Sequence, residues 1–265
     1  MTRDVIAAYD ATGAAWQRGP VRIYDRLAAE LIDRCPTLDH TSLVLDLGAG
    51  TGAATRAIRQ RGAHAVALDA SFGMLAQGSR DEPACVADAY ALPFNDGVFD
   101  AVVAAFSLNH VADPAVALRE AARVTRPTGT IVASAYATDD DHPAKRAVDD
   151  AARGAGWVEP GWYQELRCDV VPQLSTVERA VDVARRAGLL DSVAEVVRIA
   201  IPGLASDDLV AWRLGMAQLA PFVEGLDLRA QRRLWRDASE RVTGMPALVR
   251  SIIILTARRV PIQPS

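Results

Sequence analysis

The sequence predicts an α/β fold: a doubly wound, mostly parallel seven-stranded sheet with an antiparallel last strand, a helical N-terminal leader and helical lid insertions. Three observations lead there. Short, near-continuously apolar runs alternate with helical stretches from residue 43 to about 136, as expected of parallel strands covered on both faces. A glycine-rich turn, GAGTG at 48–52, directly follows the first of these runs. The chain has 265 residues, half of them apolar, enough for one compact domain with a sizeable core.

In order along the chain, residues 1–36 read as a helical leader. Strands are expected at 43–47, 65–68, 84–87, 101–105 and 129–135, with helices between them, the shortest after the third strand. Asp113 is positioned to cap a helix that has Pro114 at its first position, where a missing N–H costs nothing. Val116, Leu118, Ala121 and Ala122 form its apolar side, and it should stop before Pro127 and Gly129. The charged run DDDH at 139–142 reads as a solvated loop before a helix starting near Pro143, and WVEPGWY at 157–163 as an irregular aromatic segment.

Ser175 and Glu178 have capping-box spacing, Val177, Ala180, Val181 and Ala184 make a buried stripe, and Gly188 sits where a C-terminal cap belongs. The last two strands are expected at 193–201 and 251–256. Between them lies a helical insertion opened by Ser206, Asp207 and Asp208, with Leu209, Trp212, Met216 and Leu219 on one face. The last strand lacks a preceding crossover of standard length, which makes it antiparallel.

Composition narrows the function. The net charge of −4 and the lack of a basic run argue against a nucleic-acid partner. Cys35, Cys85 and Cys168 are scattered and in no metal-ligand spacing, so no metal is expected and a reduced, cytoplasmic setting is. The N-terminus lacks the apolar region of a signal peptide, and stretches such as VVAAF at 102–106 are far too short for a bilayer, so a soluble protein is expected.

Two ligands use such a glycine turn. A dinucleotide site asks for G-x-G-x-x-G/A, which Gly48, Gly50 and Ala53 satisfy, with an acid about twenty residues on, which Asp69 supplies. Three features favour S-adenosylmethionine instead. Asp46, two residues before Gly48, would repel a pyrophosphate and attract an α-ammonium. Asp88, at the end of the third strand, can meet an adenine amino group, and the chain carries aromatic insertions in place of a sixth-strand repeat.

Five segments in order, VLDLGAGTG (44–52), ALDAS (67–71), ADAYALPF (87–94), FDAVVAAFSLNHV (99–111) and LREAARVTRPTGT (118–130), resemble the class I S-adenosylmethionine-dependent methyltransferases. The likeness is to the small-molecule branch that includes the ubiquinone and menaquinone C-methyltransferases and bacterial natural-product enzymes. It covers 43–135 strongly and the rest loosely. It implies a leader at 1–40, a cofactor-binding core at 41–137 and, at 138–265, the remaining sheet with substrate insertions, all in one compact domain.

By that resemblance Asp46, Gly48, Ala49 and Gly50 line the methionine end of S-adenosyl-L-methionine. Asp69 takes the ribose hydroxyls, Ala70 and Met74 lie against the adenine, Asp88 and Ala89 contact its edge, and Ser107 begins the loop beneath the sulfonium. The glycines are expected to leave room for the cofactor.

His110 follows the fourth strand, where ligands gather in open α/β sheets, and its ordinary pKa suits a general base. Tyr9, Trp16, Tyr24, Trp162, Tyr163, Trp212 and Met216 are expected to line a site for a small organic acceptor, with Trp157 and Phe222 as further lid candidates, although helical spacing gives Trp212 and Met216 a core role as well. SLNH at 107–110 stands where N/D-P-P-Y would mark methylation of amino groups on adenine or glutamine, which argues against those substrates; carbon or oxygen of a small molecule is the expected methyl acceptor, with nitrogen left open. The alternatives are the same bound cofactor used for cyclisation or rearrangement, a nicotinamide-dependent oxidoreductase, and a non-catalytic module. The apolar insertion also suits a homodimer interface.

Overall fold

The computed structural model describes residues 2–35, 38–79 and 81–259, so residues 1, 36 and 37 of the expected leader lie outside the described residues. Seven strands form one sheet in the order β3-β2-β1-β4-β5-β7-β6. They are β1 (Leu43–Leu47), β2 (His64–Asp69), β3 (Ala84–Val86), β4 (Phe99–Ala105), β5 (Thr125–Tyr136), β6 (Ser192–Ile201) and β7 (Leu248–Arg258). β1 to β5 pair in parallel, and β7 runs antiparallel between β5 and β6. The expected architecture therefore holds.

The leader is α1 (Arg3–Asp10), α2 (Gly13–Arg18) and α3 (Val21–Ile32). Crossovers are α4 (Ala53–Gln60), α5 (Phe72–Leu75) and α6 (Pro114–Val124), followed by α7 (Pro143–Gly154), α8 (Gly161–Glu165) and α9 (Val177–Arg186). The insertion before β7 holds α10 (Ser206–Leu214), α11 (Ala220–Gly225) and α12 (Leu228–Val242). None of these helices is long and apolar enough to cross a membrane.

Alternating side chains on each strand serve two cores. Val44, Val103, Val132 and Ile254 pack with α3, α4, α7, α10 and α12. Leu45, Val102, Ile131 and Leu255 pack on the other face with α6 and α9. Burial on both faces is why the strands read as continuous apolar runs.

Several local expectations need correction. Residues 87–98 contain no helix; the shortest crossover helix, α5, follows β2 instead. In α6, Asp113 caps as expected, accepting from the Ala115 N–H at 3.0 Å, but Ala115, Ala117 and Val124 are buried while Val116 and Ala122 are half-exposed. The cap of α9 is Thr176, whose hydroxyl accepts from the Arg179 N–H, one residue beyond Ser175. Val183 takes the buried place assigned to Val181, and Gly188, at φ +86°, ends the helix as expected.

The helical face proposed for Leu209 to Leu219 breaks at Gly215. α10 ends at Leu214, and a Cβ at 215 would press on Pro20 and on the Ala15 carbonyl, so Met216 and Leu219 follow the helix. The leader crosses the insertion there, backbone against backbone. The DDDH loop is solvated only in part: Asp139 and Asp141 are exposed and the helix starts at Pro143 as expected, but the Asp140 side chain is buried in an ion pair with Arg250 and His142 is buried as the cap of α7.

Candidate active site

The strand order reverses between β1 and β4, and a cleft opens at the carboxyl ends of β1, β2 and β4, the expected ligand position in such a sheet. It holds about 1000 Å³ of space, its open mouth included. Asp46, Gly48, Ala49, Gly50, Asp69, Ala70, Met74, Asp88, Ala89 and Ser107 all line it. The structure thus brings together every residue expected on the cofactor side.

The glycine turn is tied to β2 by the Gly48 and Ala49 N–H groups, which donate to the Leu68 carbonyl at 2.7 and 2.9 Å. Gly48 and Gly50 have φ of +74° and +55°. They are needed for different reasons. A Cβ at 48 would overlap the Ser107 side chain, so Gly48 makes room for a neighbouring loop, not for a ligand as expected from the sequence. A Cβ at 50 would point into the cleft, 3.4 Å from the Met74 Cε. Ser107 itself donates to the Leu47 carbonyl at 2.6 Å, and the preceding Phe106 has φ +55°, strained backbone at the edge of the cleft.

Two carboxylates stand at successive strand ends. Asp46 is fully buried, with one oxygen accepting from the Thr55 hydroxyl at 2.7 Å and the other, Oδ1, without a partner. Burial raises its pKa to about 6, against the lowering effect of Thr55. Asp69 accepts from the Gly50 and Ser71 N–H groups, each at 2.8 Å, and burial raises its pKa too, opposed by those bonds. Asp88 lies beyond the end of β3, is exposed, and accepts from the Tyr90 N–H at 3.0 Å.

These features fit a sulfonium cofactor. The orphaned oxygen of Asp46 calls for a cationic donor, which an α-ammonium supplies. Thr51, which sequence reasoning missed, has a buried hydroxyl with no partner in the same cleft. Asp69 keeps lone pairs for vicinal hydroxyls. A pyrophosphate beside Asp46 would meet like charge.

The leader closes one side of the cleft. Asp10 accepts from the Ser71 hydroxyl at 2.7 Å and from the Gly73 N–H at 2.8 Å, which ties the end of α1 to α5. The Tyr9 hydroxyl and His110 Nε2 are 2.8 Å apart. Burial lowers the His110 pKa to about 4, although the Phe106 and Ser107 carbonyls partly hold it up. In the tautomer with the proton on Nδ1, Nε2 accepts from the Tyr9 hydroxyl.

Tyr9, Tyr24 and His110 also line a second cavity, of about 1930 Å³ with its mouth, together with Trp162, Tyr163, Trp212 and Met216. Trp16 lines only the first cleft, its ring tilted against that of Tyr24 with 4.8 Å between centroids. Trp157 is packed in the core, its indole N–H donating to the Gln218 carbonyl, and Phe222 lines neither cavity; both leave the lid set. Sequence reasoning missed Tyr136, Lys145, Asp149, Arg213 and Arg250, which line the second cavity. Their charges scatter over three elements, and the signal that existed, the DDDH run, was assigned to solvent.

Residues 45–133 match the family model of a methyltransferase domain. The chain is 44% identical over 135 residues to the demethylmenaquinone methyltransferase of Mycolicibacterium vanbaalenii, a match covering 51% of this chain and 58% of that one. It spans a little over half the length of the curated relatives it matches. Among solved structures, a Haloferax volcanii protein in complex with the Trm112 methyltransferase activator superposes with a TM-score of 0.59 at 19% identity, covering all of both chains. Haemonchus contortus phosphoethanolamine N-methyltransferase 2, solved with S-adenosylhomocysteine, gives 0.55 at 17%, covering 89% of this chain and 52% of that one. At these identities the structural matches speak to the fold.

Proposed function

We propose that this protein binds S-adenosyl-L-methionine in the first cleft and transfers its methyl group to carbon or oxygen of a small organic acceptor held in the second cavity, in quinone-like or natural-product metabolism. The observation that carries the reading is the buried Asp46 carboxylate, which lines the cleft beside the Gly48–Gly50 turn and has one oxygen without a partner. The match to demethylmenaquinone methyltransferases supports it.

The cofactor supplies a methyl carbon already activated on a sulfonium. The chain supplies binding, alignment and exclusion of water. Asp46 holds the ammonium, Asp69 accepts from the ribose hydroxyls, and Asp88 and Met74 border the adenine. The leader, fastened by Asp10 to Ser71 and Gly73, covers the cleft.

Tyr9 and His110 stand where the two cavities meet, and they handle the acceptor's proton. Tyr9 takes that proton on its hydroxyl oxygen while passing its own to His110 Nε2, 2.8 Å away. A buried imidazolium is costly, so this couple suits an acceptor that is already weakly acidic. The test is incubation with methyl-labelled cofactor and a panel of hydroxylated aromatic and quinol acceptors. Labelled product with an equal amount of S-adenosylhomocysteine is expected. Bound cofactor with no label on any acceptor contradicts methyl transfer.

A further inference from the structure

Seven buried side-chain polar atoms among the described residues lack a hydrogen-bond partner. Two of them, on Asp46 and Thr51, belong to the first cleft. Four others, Arg250 Nη1, Trp212 Nε1, Gln218 Nε2 and Asn109 Oδ1, sit on residues that line the second cavity. Orphaned buried polar groups are rare, and each costs the free energy of a lost hydrogen bond unless a ligand meets it. Three of these four are donors.

Arg250 is the strongest of them. Its side chain is 2% exposed, on β7, and its Nε and Nη2 grip Asp140 at 2.9 and 2.7 Å. Asp140 also accepts from Lys145 Nζ at 2.6 Å and from the Ser251 N–H at 3.0 Å. Two cations thus share one carboxylate, and the local charge is uncompensated.

Nearby Arg213 is neutralised by Asp149 through two bonds, at 2.7 and 2.8 Å, and adds nothing to the balance. Seven cationic side chains line the cavity against four carboxylates; Arg146, Arg153 and Arg167 are paired with Asp141, Asp150 and Glu159, so the excess lies with Arg179 and the Arg250–Lys145–Asp140 cluster. The guanidinium carbon lies over two aromatic rings, 4.2 Å from the centroid of Tyr136 and 4.9 Å from that of Trp212, contacts that with the Asp140 fork hold the group in place.

We propose that Arg250 is an anion-recognition residue for the methyl acceptor, and that the acceptor is an apolar-bodied carboxylic acid whose carboxylate seats on Arg250 Nη1. A carboxylate has two oxygens and about four acceptor positions, which answers more than one orphaned donor; a neutral carbonyl answers fewer. Tyr136, Trp162, Tyr163 and Met216 supply the apolar wall for the rest of the molecule. Naming this ligand the acceptor rests on the first cleft being the cofactor site; the anion site itself stands on Arg250.

The test uses the full chain and calorimetry with three probes: S-adenosylhomocysteine, 2-naphthoate and its uncharged methyl ester. The acid is expected to bind at least about tenfold more tightly than the ester, because the ester leaves the charge unmatched. Arg250→Lys keeps a cation for Asp140 but removes Nη1; it should abolish that preference while leaving S-adenosylhomocysteine affinity within about twofold. Should this variant misfold by circular dichroism, Trp212→Phe, which keeps an aromatic ring and loses the N–H, should lower acid affinity and spare the ester.

Equal binding of acid and ester, failure of both to bind, or an acid preference that survives Arg250→Lys overturns the proposal. If S-adenosylhomocysteine binds in any of those cases, the cofactor reading survives alone. Acid preference without S-adenosylhomocysteine binding sinks the cofactor reading and leaves the anion site standing.

Discussion

The Tyr9 hydroxyl lies 2.8 Å from Nε2 of His110, 101 residues away, and the two rings meet edge-on at 5.3 Å between centroids. One hydrogen bond thus joins the leader to the loop after β4 at the junction of the two cavities. Tyr9→Phe removes the relay hydroxyl and is expected to lower turnover about tenfold or more, and His110→Ala about a hundredfold, with cofactor affinity little changed in either. Steady-state kinetics with a validated acceptor checks both, and unchanged turnover in His110→Ala removes the imidazole from the mechanism.

Asp46 carries a cost in the free protein. Its folded pKa, about 6, lies above the ordinary carboxylate value, so the folded state holds a proton that the unfolded chain has lost. Stability is therefore fullest at or below pH 4 for this group and falls as pH rises toward 6. Asp46→Asn should stabilise the ligand-free protein at pH 7 by on the order of 1–3 kcal/mol and weaken cofactor binding tenfold or more. Urea denaturation at pH 7 gives the first quantity and calorimetry the second; a destabilised variant contradicts the account.

The same carboxylate sets a pH dependence. An ammonium ligand needs Asp46 ionised and its own proton kept, so cofactor affinity should be greatest near pH 7 and fall as pH drops through about 6. His110 titrates lower, near 4, and should leave no mark in that window. Its depressed pKa contributes stability that is present above its ordinary value and lost as pH falls toward 4. Binding titrations between pH 5 and 8 separate the two groups, and the acid limb near 6 should vanish in Asp46→Asn.

The two glycines should respond differently to alanine. Gly48→Ala forces a Cβ into Ser107 at positive φ, and is expected to destabilise the fold by about 2–4 kcal/mol. Gly50→Ala meets only the end of Met74, so about 1–2 kcal/mol of stability goes with a larger loss of cofactor affinity. Thermal denaturation with and without S-adenosylhomocysteine distinguishes them.

Much of this was legible in the sequence because strand and helix periods dominate it. All seven strands, the antiparallel β7 and the grouping of Asp46, Asp69 and Asp88 at strand ends follow from apolar runs and the acids that end them. What escaped depends on distant partners. Asp140 reads as solvated until Arg250, 110 residues later, pairs with it, and Gly48 reads as ligand clearance until Ser107 lies against it. The helix through Leu209 and Leu219 breaks because the leader crosses at Gly215, which periodicity within the segment cannot show.

The central claim is that the cleft beside Asp46 and Asp69 takes a sulfonium cofactor. Isothermal calorimetry of S-adenosylhomocysteine and NAD against the purified full chain tests it most directly. One molecule of S-adenosylhomocysteine per chain, at micromolar affinity or about that, with no heat from NAD, is the predicted result. Binding of NAD with none of S-adenosylhomocysteine or S-adenosylmethionine would contradict it.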